Sequence, residues 1–373
     1  MPVADPGYDL GHGDRAAGRG AEAARLTAHF RDAGAVPVDP GYLQPADLLL
    51  DLYGEDIRAR AYRTDDPVHG EQMRRPDFTV PIVLNHMADA REPARYTYAG
   101  PVWRRQEYGA AQAREFWQVG YEIFDRTAPE AADAEVFALI QAGLADAPVT
   151  AITGDLSLIF AAISALKTTE ARKAALRRHV WRPARFARLL QRFAGTAPFA
   201  CDQADLPENP TAAIAAAGQM IGLRGEDEIT ARIAALAEDR NTPDLSGEEV
   251  AMITALLAIK GRSAACHRGL AAIARSFPAL NQPVDRMARR MEALNQRGID
   301  ADALAFDAAF GRASMEYYDG FTFAFGADHP APVAMGGRYD ALTALLGGAV
   351  VPAVGGVIRP GLLASLRGGG RGG

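Results

Sequence analysis

Glu115-Phe116-Trp117-Gln118-Val119-Gly120-Tyr121-Glu122-Ile123-Phe124 has the pattern of a strand with two unlike faces. Successive side chains of a strand point to opposite sides, so Trp117, Val119, Tyr121 and Ile123 form an apolar face suited to a core. Gln118, Gly120 and Glu122 share the other face. Gly120 places no side chain between an amide and a carboxylate, which predicts a shallow floor for a ligand carrying an ammonium or imidazole. The same pattern also fits a half-exposed antiparallel strand with ordinary polar residues turned outward.

Pro101-Val102-Trp103-Arg104-Arg105-Gln106-Glu107 closes a preceding strand, and the loop Tyr108 to Ala113 returns the chain as a hairpin. Arg104 is either a solvated loop arginine or a bidentate partner for a carboxylate or phosphate. Upstream, helical spacing runs from Ala21 to Ala33 and is broken by Gly34 to Pro40. An extended piece, Arg75 to Pro81, precedes a helical run from Ile82 to Ala90, and another helix is expected from Pro129 to Ala145. From Leu156 to Gly298 alanine, leucine and arginine dominate with apolar residues three or four apart, which reads as helix. Strand chemistry returns in Tyr317 to Phe325.

Strands, then helices, then strands favour an α+β fold with a mainly antiparallel sheet and a helical insert over a doubly wound parallel sheet. The expected division is a flexible tail over 1–20, a first core part over 21–155, an insert over 156–300, a second core part over 301–366 and a flexible tail over 367–373. A chain of 373 residues exceeds the roughly 250 residues a single core usually serves. The net charge of −6 argues against a chain built mainly to hold nucleic acid. Cys201 and Cys266 stand alone, the histidines have no metal-ligand spacing, and no apolar run reaches membrane-spanning length. No metal, no cofactor, no membrane and a cytoplasmic location are therefore expected. Arg177, Arg178, Arg182, Arg185 and Arg188 read as a solvated face of the insert.

Arg75-Pro76-Asp77-Phe78-Thr79, Pro101 to Gln106 with Glu115 to Phe124, Tyr317-Tyr318, Gly336-Gly337-Arg338-Tyr339-Asp340 and Pro352-Ala353-Val354-Gly355 resemble the catalytic core of histidyl-tRNA synthetase in order and spacing. The resemblance implies a class II aminoacyl-tRNA synthetase-like core with a six-stranded antiparallel sheet and a histidine pocket. By the same resemblance Asp77, Thr79 and Gln118 would hold the α-ammonium, Glu122 with Tyr318 would face the imidazole, and Tyr317 would belong to the same histidine-binding set. Arg104 matches the arginine that in the synthetases sits against the carboxylate and the α-phosphate. Asp77 stands where the family usually has glutamate.

Several positions depart from the synthetases. Gln106 replaces a glutamate that helps hold ATP, Ala313 replaces the arginine used in histidine activation, and Arg312 lies one residue earlier. After Gly355 the chain reads Gly356-Val357-Ile358-Arg359-Pro360-Gly361, without the family's Gly-x-Glu-Arg and with Arg359 at the glycine position. Loss of a cation at developing charge weakens transition-state stabilisation. No anticodon-binding domain is expected either. This combination resembles the ATP phosphoribosyltransferase regulatory subunits. It implies a non-catalytic partner of a short catalytic subunit, with L-histidine as effector and a homodimer inside a hetero-oligomer. The alternative is a divergent histidine-activating enzyme.

Overall fold

A computed structural model describes residues 14–46, 61–89, 91–106, 113–197, 206–207, 209–218, 224–312, 316–329 and 331–368. Cys201, Ala313, residues 107–112 of the hairpin and most of both expected tails lie outside the described residues. The remaining parts of the tails are ordered helix. Asp14–Asp32 is helical, so residues 14–20 join the core rather than a flexible tail. Arg367 belongs to the helix Pro360–Gly368, where its guanidinium donates to Glu22 (2.6 Å) and to the carbonyls of Leu144 and Ala145.

The chain forms two compact units, 1–158 with 258–373, and 159–257. The first is built on a sheet of β1 (Val36–Pro37), β5 (Ala94–Trp103), β6 (Glu115–Phe124), β12 (Ala353–Ile358), β11 (Ala334–Arg338), β10 (Phe321–Phe325), β7 (Ala151–Asp155), β9 (Ala305–Asp307) and β8 (Lys260–Arg262), in that spatial order. The run β5-β6-β12-β11-β10-β7 is antiparallel throughout, the six strands the resemblance implies. Parallel pairing adds β1 and β9 at its two sides, and β8 then pairs antiparallel with β9. A second sheet pairs β4 (Gly70–Arg74) with β2 (Leu43–Pro45) and β3 (Arg63–Asp66).

The helical insert is shorter than the periodicity suggested. The helices Ser263–Ser276 and Asn281–Gln296 belong to the sheet-bearing unit, because β8 ties the chain back to the sheet and Arg290 anchors the second helix in the core. Helical periodicity is the same in both units, so contacts distant in sequence, β8 on the sheet and Leu294 and Arg290 in its core, separate them. The second unit buries Leu176, Val180, Phe186 and Leu190. Arg172 ties that unit together, with Asp239 Oδ1 at 2.5 Å and the carbonyls of Pro243 and Asp239 each at 2.8 Å. Arg178, Arg185 and Arg188 are exposed, whereas Arg177 and Arg182 are half-buried.

Behind the main sheet, Leu26, Phe30, Val119, Tyr121, Ile123, Phe137, Ile140, Phe323 and Val354 share one hydrophobic core. The apolar face expected for residues 117–123 is there, Val119, Tyr121 and Ile123 being fully buried. A buried ionic cluster crosses this layer. Arg338 donates twice to Asp133 (2.9 and 2.7 Å), once to Asp340 (2.9 Å) and once to the Pro129 carbonyl (2.6 Å). Arg290 bridges Asp133 (3.4 Å) and Asp155 (2.8 Å) with its guanidinium over the Phe321 ring. Breaking a buried pair leaves an uncompensated charge in a low-dielectric interior. Asp133→Ala, which removes the carboxylate shared by two buried guanidinium groups and leaves Arg338 with Asp340 and Arg290 with Asp155, is expected to cost about 3 kcal/mol. Urea unfolding of the variant measures this, and an unchanged midpoint would show that the cluster does not anchor the fold.

Candidate functional site

The sheet face opposite this core carries a small cleft. It is lined by Asp77, Thr79, Arg104, Gln118, Glu122, Tyr317 and Tyr318, together with Met335, Tyr339, Gly355, Gly356 and Val357. The structure thus brings all seven residues named from the sequence to one place, although they come from four separate stretches of chain. No group of acidic, histidine or cysteine side chains among the described residues is arranged to hold a metal ion. No described helix is long and apolar enough to cross a membrane.

The loop bearing Asp77 and Thr79 is held by a buried arginine. Arg75 donates to the carbonyls of Pro101 (3.1 Å) and Pro40, with its guanidinium 3.8 Å from the Phe78 ring centroid and 4.6 Å from that of Tyr42. Asp77 Oδ1 then accepts from the Thr79 backbone N–H at 3.1 Å, which starts the helix Thr79–Asp89 in the manner of an N-terminal cap. Phe78 stacks on Tyr98 with ring centroids 4.3 Å apart.

Glu122 is the centre of the cleft and is 1% exposed. Three hydroxyls donate to its carboxylate: Tyr98 at 2.8 Å and Thr79 at 3.2 Å to Oε1, and Tyr339 at 2.5 Å to Oε2. Tyr317 donates in turn to Thr79 Oγ1 at 3.3 Å. No lysine, arginine or histidine among the described residues pairs with Glu122. Two glycines make this arrangement sterically possible. A Cβ on Gly355, which stands opposite Glu122 in the register, would overlap the Glu122 carboxylate. A Cβ on Gly120 would overlap the Tyr98 ring. The floor expected above Gly120 is therefore filled by Tyr98, and the space serves a hydroxyl that holds Glu122 rather than a ligand directly.

Tyr98 and Tyr339 were not singled out in the sequence. The first faces Gly120 across β5 and β6, so its position was readable only with the register known. Tyr339 follows Arg338, and the ionic cluster behind the sheet fixes the backbone from which its phenol reaches forward. Gln118 is 2% exposed, and its Oε1 has no hydrogen-bond donor. Arg312, the arginine one residue before position 313, is 6% exposed and does not line the cleft.

At the mouth, Arg104 Nε donates to the Pro76 carbonyl at 2.9 Å. Its guanidinium carbon lies 5.5 Å from the Phe116 ring centroid. Arg359, which the sequence placed only as a break in a motif, comes to 4.6 Å from the same ring. The mouth therefore carries a second cation that the spacing of residues 355–361 did not reveal.

The chain matches the family model described as histidyl-tRNA synthetase over residues 14–360. It is 31% identical over 368 residues to an ATP phosphoribosyltransferase regulatory subunit of Mesorhizobium japonicum, covering 89% of this chain and 94% of that protein. It is also 31% identical over 345 residues to the protein of that name in Chelativorans sp., covering 87% and 91%. The chain belongs to the histidyl-tRNA synthetase-like family of ATP phosphoribosyltransferase regulatory subunits. Among solved structures, an ATP phosphoribosyltransferase regulatory subunit/histidyl-tRNA synthetase from Bacillus halodurans shares the fold with a TM-score of 0.68 at 19% identity, covering 98% of this chain and 83% of that one. A histidine–tRNA ligase subunit from Alicyclobacillus acidocaldarius has a TM-score of 0.62 at 24% identity, covering 99% and 98%. These two likenesses support the class II synthetase fold alone.

Burial raises the Glu122 carboxyl from its usual range to about 7, with Tyr339, Tyr98 and Thr79 opposing the rise and Asp77 adding to it. The folded protein thus holds this proton more tightly than the unfolded chain does. The resulting stabilisation is full below about pH 4.5 and is lost as pH rises through about 7. Glu122→Gln keeps the shape of the protonated acid and removes the titration. Between pH 5 and 8 the wild type should lose roughly 2–3 kcal/mol relative to this variant, as read by urea unfolding. Asp319, also raised to about 7 by burial and by Asp340, is present in both proteins and cancels. A difference that stays flat across this range would rule out the raised carboxyl.

Proposed function

We propose that this chain is a non-catalytic regulatory subunit of ATP phosphoribosyltransferase. It works with a short catalytic subunit at the first step of histidine biosynthesis, and its cleft holds L-histidine as the feedback effector. The reading rests above all on the polarity of the cleft. A buried carboxylate is held by hydroxyls instead of a cation, a buried amide oxygen lacks a donor, and arginine stands at the mouth. A ligand with an ammonium, an imidazole and a carboxylate satisfies all three. The names of the curated relatives point the same way.

The side chains close on one another, so that the cleft has space for about one water molecule. Histidine therefore binds an expanded form, and occupancy selects between two arrangements of Tyr317, Tyr318 and the loop bearing Thr79. An effector acts only through unequal affinity for two states, and a coupling of about 1–3 kcal/mol to the partner is typical. Homodimers within a hetero-oligomer complete the proposal.

Calorimetric titration of the purified chain, alone and with a short phosphoribosyltransferase, is expected to show histidine binding that Glu122→Ala and Gln118→Ala abolish. The same variants should relieve feedback inhibition of the complex while still activating the partner. Absence of binding heat in both settings removes the sensor. The Arg104–Arg359 neighbourhood favours one other reading, a divergent histidine-activating enzyme. Histidine-dependent exchange of pyrophosphate into ATP, lost in Arg104→Ala, would establish it in place of the regulator.

A further inference from the structure

Along β6, Phe116, Gln118 and Glu122 share one face of the sheet, and the last two line the cleft. On the neighbouring strand β12, Gly355 and Val357 face the same cleft, and Arg359 follows two residues beyond Val357. Its guanidinium carbon lies 4.6 Å from the Phe116 ring centroid, against 5.5 Å for Arg104. Neither guanidinium meets a carboxylate among the described residues. Two cations on one aromatic ring, without an acid between them, repel each other: burial first, and then Arg104, push Arg359 down to about 10. An anion received by both would remove that repulsion through charge-assisted hydrogen bonds. The inner end of the cleft has the opposite character, being built on Glu122 and Asp77. The site is thus dipolar, with its acid inside and its cations outside.

We propose that Arg359 acts with Arg104 as a two-armed clamp on Phe116 that reads the carboxylate of a zwitterionic amino-acid effector, and so sets the specificity of the cleft. This rests on the effector reading above and extends it to a residue that neither the motif pattern nor the cleft lining identifies. Binding energy at the mouth then separates an amino acid from the amine of the same side chain.

The experiment compares L-histidine with histamine, which lacks only the carboxylate, by calorimetry on the full chain at fixed salt. Wild type should bind histidine at least about tenfold more tightly than histamine, as expected for a charge-assisted contact. Arg359→Gln should shrink that ratio about five- to tenfold by weakening histidine alone, and Arg359→Lys should restore part of it. A thermal melt of each variant confirms folding, and the lysine variant carries the test if the glutamine variant does not fold. An unchanged ratio in the folded variants overturns the clamp, and so does equal binding of the two ligands by wild type, with the effector reading intact in either case. If neither ligand binds, the effector reading and the clamp fall together. If AMP binds and Arg359→Gln abolishes it without altering the histidine-to-histamine ratio, the pair serves a phosphate and the proposal is overturned.

Discussion

A carboxylate buried among hydroxyls organises this site. Glu122 lies on β6, between β5 and β12, and its hydrogen bonds come from three directions: Tyr98 on the adjoining strand, Thr79 at the head of a helix, and Tyr339 beyond β11. Each donor depends on a separate support. Tyr98 needs Gly120, Thr79 needs the loop that Arg75 holds, and Tyr339 needs the backbone fixed by Arg338. Hydroxyls moderate the cost of burying a carboxylate without cancelling its charge, and the raised Glu122 carboxyl reflects that imbalance. A cationic ligand group would complete what the protein leaves incomplete.

The ionic layer behind the sheet and the hydroxyl layer in front of it share a backbone. Arg338 points back to Asp133, while its neighbour Tyr339 points forward to Glu122. The Tyr339 N–H also donates to the Ala353 carbonyl at 2.9 Å, and the Ala353 N–H donates to Asp340 at 2.9 Å. This cross-connection locks β11 to β12 at the point where Gly355 must clear the Glu122 carboxylate. The front layer is held to that frame through hydroxyls, Tyr317 donating to Thr79 and Thr79 to Glu122.

How much of this was readable in the sequence depended on the range of the interaction involved. Alternation in residues 115–124 exposed both faces of β6, because a strand's two-residue period is a local property. The spread of five motifs brought the seven cleft residues together by resemblance. What stayed hidden was set by contacts across the sheet. Tyr98 filling the space of Gly120 is a register fact, and the outer strands β1, β9 and β8, added beyond the six-stranded run, are only two or three residues long, too short for periodicity to register. The helices Ser263–Ser276 and Asn281–Gln296 have the same apolar spacing as the insert, and contacts distant in sequence, Leu294 in the sheet's core and Arg290 reaching Asp133 and Asp155, assign the second of them to the sheet.

Arg359 shows the same limit at the functional level. As a letter in a motif it marks the loss of a glycine and of a downstream Glu-Arg pair, which argues against nucleotide chemistry. In space it regains a positive charge at the cleft mouth by a different route, through Phe116 on the neighbouring strand. Substitution at one site of a motif changes which group the mouth can hold without changing its sign. A cleft with a carboxylate at its floor and two guanidinium groups at its rim favours a ligand whose own charges are opposed end to end. The triphosphate of a nucleotide, anionic along its whole length, would meet Glu122 and Asp77 as repulsion wherever it reached past the rim.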